Sequence, residues 1–345
     1  MPKIFMPHRR RHPRSTAGPS HSAEVDIKVQ LLVRGPEKAA KVMAKYPQVQ
    51  PVVGDFANLD LIESTCRSVD IVINAGPDTT HDGTLKAVLR VLQNRENSSV
   101  KSYFIHTSGA YLICDLREPR GTKSDKVWMI SRTASKLVLS AALQVNLAIL
   151  SPAGVTGIIP SVGHPYPITM PALFQCVRAF RSAFVIGEGE NAVGMTHVRD
   201  FTHVHGLSNN NNKPAPPFPV WGKNAYYFGS AADTLYRRDW RTGLAPLLAK
   251  HGVLEGNAHE EVNSVTTAEV ARRVLLGGDK YDPDAPPPPL DSWAVHIAHG
   301  LGANLRIRAS KMRRLGWELE HVSLFEAMDG VIPAYVRCEK ENAAR

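Results

Sequence analysis

Short apolar runs alternate with helical patterns along the first half of the chain. After residue 26, runs of about five apolar residues are followed by stretches in which apolar side chains recur every three or four positions. This alternation is typical of a parallel sheet wrapped by helices. The predicted strands are Ile27–Val33, Val49–Val53, Asp70–Asn74, Ser102–Thr107 and Leu147–Leu150, and the predicted helices are Pro36–Tyr46, Leu59–Val69, Gly83–Gln93 and Arg132–Leu143. The pattern therefore predicts an α/β fold with a Rossmann-like, doubly wound parallel sheet.

The alternation loosens after residue 150. Prolines are frequent before a predicted helix at Ala172–Arg181, and two polar, proline-rich connections follow at residues 209–217 and 279–289. We therefore expect three parts. They are an atypical basic N-terminal segment (1–26), a nucleotide-binding core (27–150) and a smaller C-terminal substrate lobe (151–345) with segments that return to the core.

Composition and charge exclude some classes of protein. With 43% hydrophobic and 21% charged residues, the chain as a whole is not disordered. The formal net charge is +9, which could indicate an acidic partner. Residues 1–22 contain no acid and carry five of these charges, on Lys3, Arg9, Arg10, Arg11 and Arg14. Because this cluster is short and lacks interleaved aromatic residues, it disfavours nucleic acid as a partner.

The cysteines and the N-terminal residues indicate in which cellular compartment the protein is expected. No two cysteines form a C-x-x-C pair, so we expect reduced thiols in a reducing compartment and no metal site. No apolar run approaches the ~18 residues of a membrane span, and there is no secretory signal, so no membrane partner is expected. Prolines in the basic start argue against the helix of a transit peptide. The sequence predicts a cytoplasmic protein.

Strand ends are where such sheets carry their binding groups. Arg34 follows the first predicted strand, where an arginine favours a ribose 2′-phosphate, although a solvated surface arginine is the alternative. Gly54 and Asp55 follow the second strand. The acid can accept a hydrogen bond from an adenine amino group, while a simple turn explains the pair equally well.

Small and hydroxyl-bearing residues follow the next two strands. Asn74–Gly76 and Thr107–Gly109 leave room for a flat dinucleotide, and hydroxyls there can hold a carbonyl or ribose oxygen. Lys136 lies on a predicted helix further along the chain. A lysine there can bind ribose hydroxyls and lower the pKa of a neighbouring acid.

An ordered series of motifs gives the chain a family resemblance. The series is VRG at 33, VVGDF at 52, VINAG at 72, FIHTSGAYL at 104, AILSPAGVTG at 148, AFVIGEGENAVGMTHVRD at 183 and SKMRRLGWE at 310. With the helix that bears Lys136, it resembles the extended or atypical short-chain dehydrogenase/reductases, in the NAD-dependent epimerase/dehydratase family of the fungal type. The resemblance covers about residues 27–335, and its specificity lies in the order and spacing of the pieces.

This resemblance implies a bound NAD or NADP, with NADP slightly favoured by Arg34. The implied cofactor contacts are Asp55 and Phe56 beside adenine, Asn74, Ala75 and Gly76 beside ribose and pyrophosphate, Lys136 at the nicotinamide ribose, and Pro152 beside the nicotinamide. His197 and Asp200 match a segment near the substrate pocket. Taken alone, His197 is better explained as a structural histidine.

The chain also departs from the family pattern in its catalytic residues. The family's tyrosine stands four residues before its lysine, and Arg132 occupies that position, where arginine cannot donate a proton near neutral pH. Gly109 occupies the position of the family's Ser/Thr. Tyr111 could be a substitute acid, or a core or lid aromatic. The remaining catalytic candidates are Lys136, Ser108, Thr107 and Tyr111.

A second departure concerns the phosphate site. Residues 1–6 resemble the family's first strand, and a glycine-rich turn should follow it so that backbone N–H groups meet the pyrophosphate. The segment that follows instead reads PHRRRHPRSTAGPSHSAEVD, without a G-x-x-G-x-x-G pattern. It is either a replaced segment or one read in a shifted frame.

These observations lead to two functional hypotheses. The first is an NAD(P)-dependent oxidoreductase or epimerase-like enzyme that acts on a small carbonyl, alcohol or nucleotide-sugar substrate. The alternative is a non-enzymatic NAD(P)-binding regulator of the NmrA-like type, to which the missing tyrosine points. A small-molecule partner is expected in either case, and a homodimer is possible.

Overall fold

The computed structural model describes residues 3–7, 28–75, 81–95, 102–115, 119–128, 145–158, 165–167, 169–203, 221–222, 224–235, 239–255, 262–271, 274, 298–320 and 323–343. The strands are, in chain order, β1 (Lys3–Pro7), β2 (Lys28–Val33), β3 (Val49–Val53), β4 (Ile71–Asn74), β5 (Tyr103–Thr107), β6 (Val127–Trp128), β7 (Asn146–Pro152), β8 (Gly154–Thr156), β9 (Ala183–Ile186), β10 (Ala192–His197), β11 (Tyr226–Gly229), β12 (Ala232–Leu235), β13 (Val262–Val265) and β14 (Arg306–Ile307). The helices are α1 (Pro36–Lys45), α2 (Leu59–Arg67), α3 (Asp82–Arg95), α4 (Met170–Phe180), α5 (Val198–His203), α6 (Ala245–Lys250), α7 (Thr267–Glu269), α8 (Ser310–Arg314) and α9 (Leu324–Ala343).

The main sheet has the order β3-β2-β1-β4-β5-β7-β11, and every neighbouring pair in it is parallel. The chain winds outward from β1 in one direction through β2 and β3, and then in the other direction from β4. This reversal between β1 and β4 is the topological switch point of a doubly wound sheet. The predicted Rossmann-like α/β fold is confirmed.

Alternating strand residues supply the cores on the two faces of this sheet. Leu31 packs in one cluster with Val42 of α1, and the next residue, Leu32, packs in another with Ile62 of α2. The central strands are apolar on both faces because helices cover both. That double burial is why the sequence shows continuous apolar runs rather than an apolar and polar alternation.

Predicted and observed elements agree within about two residues where both exist. The strand Val49–Val53 has the predicted limits, whereas α3 begins one residue before the predicted Gly83 and extends to Arg95. α4 begins two residues before the predicted Ala172. The predicted helix Arg132–Leu143 lies outside the described residues.

The later half of the chain forms a further core and also contributes to the main sheet. β12, β10 and β8 form a small sheet, and β13 pairs with β9 and β14 with β6. A separate cluster joins α4, β9, α6 and α9 through residues such as Phe174, Phe184, Leu248 and Ile332. β11 returns to pair with β7, and β1 brings N-terminal residues into the same sheet. The domain limits themselves stay a prediction.

Candidate functional site

All strands of the main sheet point the same way, so their C-terminal ends share one edge, here called the carboxyl edge. Residues that follow β2, β3, β4, β5 and β7 lie along it, on both sides of the switch point. The structure thereby brings together the predicted cofactor residues that it describes, which are Arg34, Asp55, Phe56, Asn74, Ala75 and Pro152. Gly76, Arg132 and Lys136 lie outside the described residues, as does the segment 8–27.

The ends of β2 and β3 carry the first of these groups. Arg34 is exposed directly after β2, and Gly54 N donates a hydrogen bond of 3.0 Å to Val33 O. Asp55 is exposed, and its Oδ1 accepts a hydrogen bond from Ala57 N at 2.9 Å. This is the turn that the Gly-Asp pair alone would predict. The turn also fixes the position of the Asp55 carboxylate at the carboxyl edge.

A histidine that sequence reasoning missed lies beside Phe56. The rings of Phe56 and His81 are tilted, with centroids 5.7 Å apart. His81 Nδ1 accepts from Thr84 N at 3.1 Å, so the imidazole caps the start of α3. Thr84 Oγ1 donates to Phe56 O at 3.0 Å. These contacts join the start of α3 to the loop after β3, and a histidine just before a predicted helix was the available signal.

At the end of β4, Asn74 pairs with a second histidine that the sequence reasoning missed. Asn74 Nδ2 and His106 Nδ1 are 3.3 Å apart, and both side chains are buried. Because the amide nitrogen donates, Nδ1 is the acceptor and the hydrogen of the neutral imidazole is on Nε2. Burial lowers the pKa of His106 to about 4. His106 is therefore neutral at physiological pH, and it fixes the orientation of the Asn74 amide.

Hydroxyl groups lie at the end of β5. Thr107 Oγ1 is buried and has no hydrogen-bond partner among the residues that the structure describes. Ser108 is buried, and its backbone N donates to Leu150 O at 2.8 Å. A Cβ added at Gly109 would meet no atom of the described residues within 4 Å. As far as the described residues show, polar groups and unfilled space thus occur together at this strand end.

Tyr111 lies in a 3₁₀ turn, Ala110–Ile113, just beyond this strand end. Its side chain is 44% exposed, so it is not a core aromatic. Its hydroxyl lies against Gly300, where an added Cβ would overlap it. This contact joins the turn after β5 to the chain near residue 300.

At the end of β7, Pro152 is half-buried, and the residue before it belongs to a buried pair. Ser151 Oγ donates a hydrogen bond of 2.7 Å to Tyr226 Oη on the neighbouring strand. Ala153 N donates to Gly229 O at 2.8 Å, which continues the pairing of β7 and β11 past Pro152. Sequence reasoning missed both hydroxyl-bearing residues.

His197, the last residue of β10, and Asp200, in the first turn of α5, are both buried. His197 Nδ1 accepts from Arg199 N at 3.3 Å, and its ring fills the space over Gly157, whose φ is 91°. The backbone oxygen of Asp200 accepts from Trp317 Nε1 at 2.7 Å. These contacts hold the segment in place. The predicted role of both residues near the substrate stays a prediction.

The four cysteines are free thiols, and two of them are buried. Cys66 and Cys176 are buried, and burial raises the pKa of each thiol to about 12. No cluster of His, Cys, Asp or Glu suited to a metal ion occurs in the part of the chain that the structure describes. Within that same part, no helix is both long and apolar enough to cross a membrane.

Comparisons with known proteins agree with this architecture. The dTDP-glucose 4,6-dehydratase DesIV of Streptomyces venezuelae, with NAD and TYD bound, superposes with a TM-score of 0.57 at 14% identity, covering 98% of this chain and 97% of that chain. The chain has the Rossmann-like fold of that enzyme. The UDP-glucuronic acid 4-epimerase of Bacillus cereus superposes with a TM-score of 0.54 at 12% identity, covering 90% of this chain and 92% of that chain.

At the level of sequence, the chain is similar to the oxidase ucsJ of an Acremonium species. The two are 24% identical over 279 residues, which cover 72% of this chain and 79% of the oxidase. No model of a known protein family matches the chain.

Proposed function

We propose that the protein is an NAD(P)-dependent oxidoreductase or epimerase-like enzyme that acts on a small carbonyl, alcohol or nucleotide-sugar substrate. The observation that carries the proposal is the line of polar groups along the carboxyl edge, on both sides of the β1/β4 switch point. Doubly wound sheets bind their ligands there. The name of the Acremonium relative and the NAD in the structures of similar fold support the same class.

The described residues fit a dinucleotide. Among the described residues, the buried Thr107 Oγ1 has no hydrogen-bond partner and a Cβ at Gly109 would meet no atom within 4 Å, which suits a polar ligand at the end of β5. In this proposal, Asp55 and Phe56 contact the adenine, and Asn74, Ala75 and Gly76 line the ribose and pyrophosphate. Pro152 lies beside the nicotinamide and Lys136 at its ribose, while His197 and Asp200 border the substrate.

The bound dinucleotide would supply the hydride donor or acceptor. The protein's own residues must hold the substrate oxygen and supply or remove a proton at it. With Arg132 at the usual tyrosine position, these tasks fall to hydroxyl groups near the end of β5. Ser108, Thr107 and Tyr111 are the proposed groups, and Lys136 would lower the pKa of whichever one exchanges the proton.

Arg34 favours NADP over NAD in this proposal. It is exposed at the end of β2, the strand end at which doubly wound sheets distinguish a ribose 2′-OH from a 2′-phosphate. A guanidinium there pairs with a phosphate, whereas NAD has no phosphate for it to bind.

The second candidate function is a non-enzymatic NAD(P)-binding regulator of the NmrA-like type. The observation in its favour is Arg132, which stands where the family has its usual proton donor and cannot take over that role. A regulator needs the cofactor contacts of the carboxyl edge but no group that exchanges a proton.

Titration with NADPH and NADH tests both candidate functions, with the fluorescence of the reduced nicotinamide as the measure of binding. Turnover is then measured on a panel of aldehydes, ketones and nucleotide sugars. Binding with turnover supports the enzyme, and binding without turnover on the whole panel supports the regulator. Failure to bind either dinucleotide would overturn both proposals.

A further inference from the structure

Three hydroxyl-bearing residues lie near the carboxyl edge, two on the neighbouring strands β7 and β11 and one directly after β5. Ser151 Oγ donates to Tyr226 Oη at 2.7 Å, and both residues are buried. Thr107 on β5 is paired with Leu150 on β7, so the next residues of the two strands, Ser108 and Ser151, stand side by side. The Ser108 N–H bond to Leu150 O continues the strand pairing to this point.

The strand alternation places the three side chains on the same face of the sheet. Ile149 and Tyr226 belong to one core cluster, and Ser151 is two positions beyond Ile149. Phe104 belongs to that cluster too, and Ser108 is four positions beyond it. Ser108 directly follows β5, and the bond from its N–H to Leu150 O continues the pairing with β7 by one residue, so we extend the alternation to Ser108.

We propose that Ser151 and Tyr226 are positioning residues for the hydroxyl of Ser108. Ser151 gives its hydrogen to Tyr226, so its oxygen is left as an acceptor toward the neighbouring Ser108. The Ser108 hydrogen is then directed toward Ser151, along the row of hydroxyls that Ser108, Ser151 and Tyr226 form. The Ser108 oxygen accepts a hydrogen bond from a hydroxyl of the ligand. The ligand class is therefore an alcohol, or a carbonyl compound in its reduced form.

This inference rests on the proposed function, because that proposal assigns Ser108 to the substrate oxygen. This row of hydroxyls compensates in part for the tyrosine that Arg132 replaces. A hydroxyl that is held in one orientation loses less freedom when the ligand binds, so part of the geometry that a tyrosine would impose is supplied from β7 and β11. Ser151 and Tyr226 lie within the sheet, and the bond from Ser108 N–H to Leu150 O holds the backbone of Ser108 beside it.

The first test needs no ligand. Tyrosines are labelled with ¹³C at Cζ, and the Tyr226 signal is identified by its loss in Tyr226→Phe. Ser151→Ala and Ser108→Ala should both move that signal. The signal of Tyr227, which packs in the cluster on the opposite face, should stay in place. A Tyr226 signal that does not respond to Ser108→Ala would overturn the proposal.

The second test uses a substrate that the wild type turns over. Tyr226→Phe should lower kcat about tenfold with KM within about twofold, because the lost interaction matters in the transition state. Tyr227→Phe, the same chemical change one residue away, should leave kcat within about twofold, and Ser151→Thr, which keeps a hydroxyl, should retain more activity than Ser151→Ala. Equal kcat values for Tyr226→Phe and Tyr227→Phe would overturn the positioning role.

The two proposals fail in different ways. A wild type that binds no dinucleotide or turns over no substrate rejects the enzyme, and the positioning role fails with it even if the tyrosine signals are coupled. If the wild type is active but the Tyr226 signal does not respond to Ser108→Ala, only the positioning role of Ser151 and Tyr226 is rejected.

Discussion

The indole Nε1 of Trp317 donates a hydrogen bond of 2.7 Å to the backbone oxygen of Asp200, and both residues are buried. Asp200 Oδ1 in turn accepts from Glu320 N at 3.4 Å. The guanidinium of Arg313 lies 5.2 Å from the centre of the Trp317 ring. These contacts join the chain after α8 to the start of α5, so the segment with His197 and Asp200 depends on residues more than a hundred positions later.

Trp317→Phe should therefore destabilise the protein. The variant loses the bond to Asp200 and leaves a cavity in the cluster that it shares with α1, at an expected cost of about 2–4 kcal/mol in the free energy of unfolding. Urea denaturation at pH 7 measures this cost. Trp128→Phe is the control, since Trp128 is only half-buried, and it should cost less than about 1 kcal/mol. Equal losses in the free energy of unfolding for the two variants would contradict a special stabilising role of Trp317.

Arg34→Ala should change the choice of cofactor. Loss of the guanidinium should weaken NADPH binding about tenfold and change NADH binding less than about twofold, because only NADPH carries the 2′-phosphate. Fluorescence titration with both dinucleotides measures the ratio. Arg314→Ala removes an exposed arginine from α8 and serves as the control. A parallel loss for both dinucleotides would refute selection by Arg34.

His106 should make the protein sensitive to acid. Burial lowers its pKa from 6.5 to about 4, so the unfolded chain binds more protons than the folded one between these values. The contribution of the neutral His106 to the free energy of unfolding is complete above about pH 6.5. It falls as the pH drops toward 4, by about 3 kcal/mol in all. His106→Gln removes this titration. Urea denaturation of both proteins at pH 7, 5 and 4 should show a smaller loss in the variant, and identical losses would exclude His106 as the source.

Two glycines with positive φ provide a matched pair. Gly157 has a φ of 91° and Gly35 a φ of 80°, so alanine is strained at both positions. A Cβ at residue 157 would overlap the buried His197 ring, whereas a Cβ at residue 35 would meet nothing within 4 Å among the described residues. Gly35→Ala should cost about 1 kcal/mol, and Gly157→Ala should cost more than about 3 kcal/mol. Thermal unfolding of both variants tests the difference.

The strands and helices of the first half were predictable because their signals are local. The apolar run at Val49–Val53 and the stripe of α3 are set by residues within one element. The place of β11 was not predictable, since Tyr226 pairs with Ile149 across a long intervening stretch of chain. Periodicity shows that such a run is buried, but it does not identify the strand that will be its neighbour.

The candidate site was predictable in its location and less so in its connections. Arg34, Asp55 and Thr107 could be identified because residues after parallel strands meet at one edge. His106 and Ser151 were missed because they lie inside buried strands, where sequence alone does not distinguish a core polar residue from a functional one. Their pairing with Asn74 and Tyr226 depends on strand register, which no local pattern specifies.

The central position of β1 gives the first residues of the chain an importance out of proportion to their number. β1 lies between β2 and β4, and β2 and β4 are not paired with each other. A chain without Lys3–Pro7 would have two separate sheets, each with an unpaired strand edge where the other half should join. Such edges favour association between molecules, so early truncation should produce aggregates rather than a smaller folded protein.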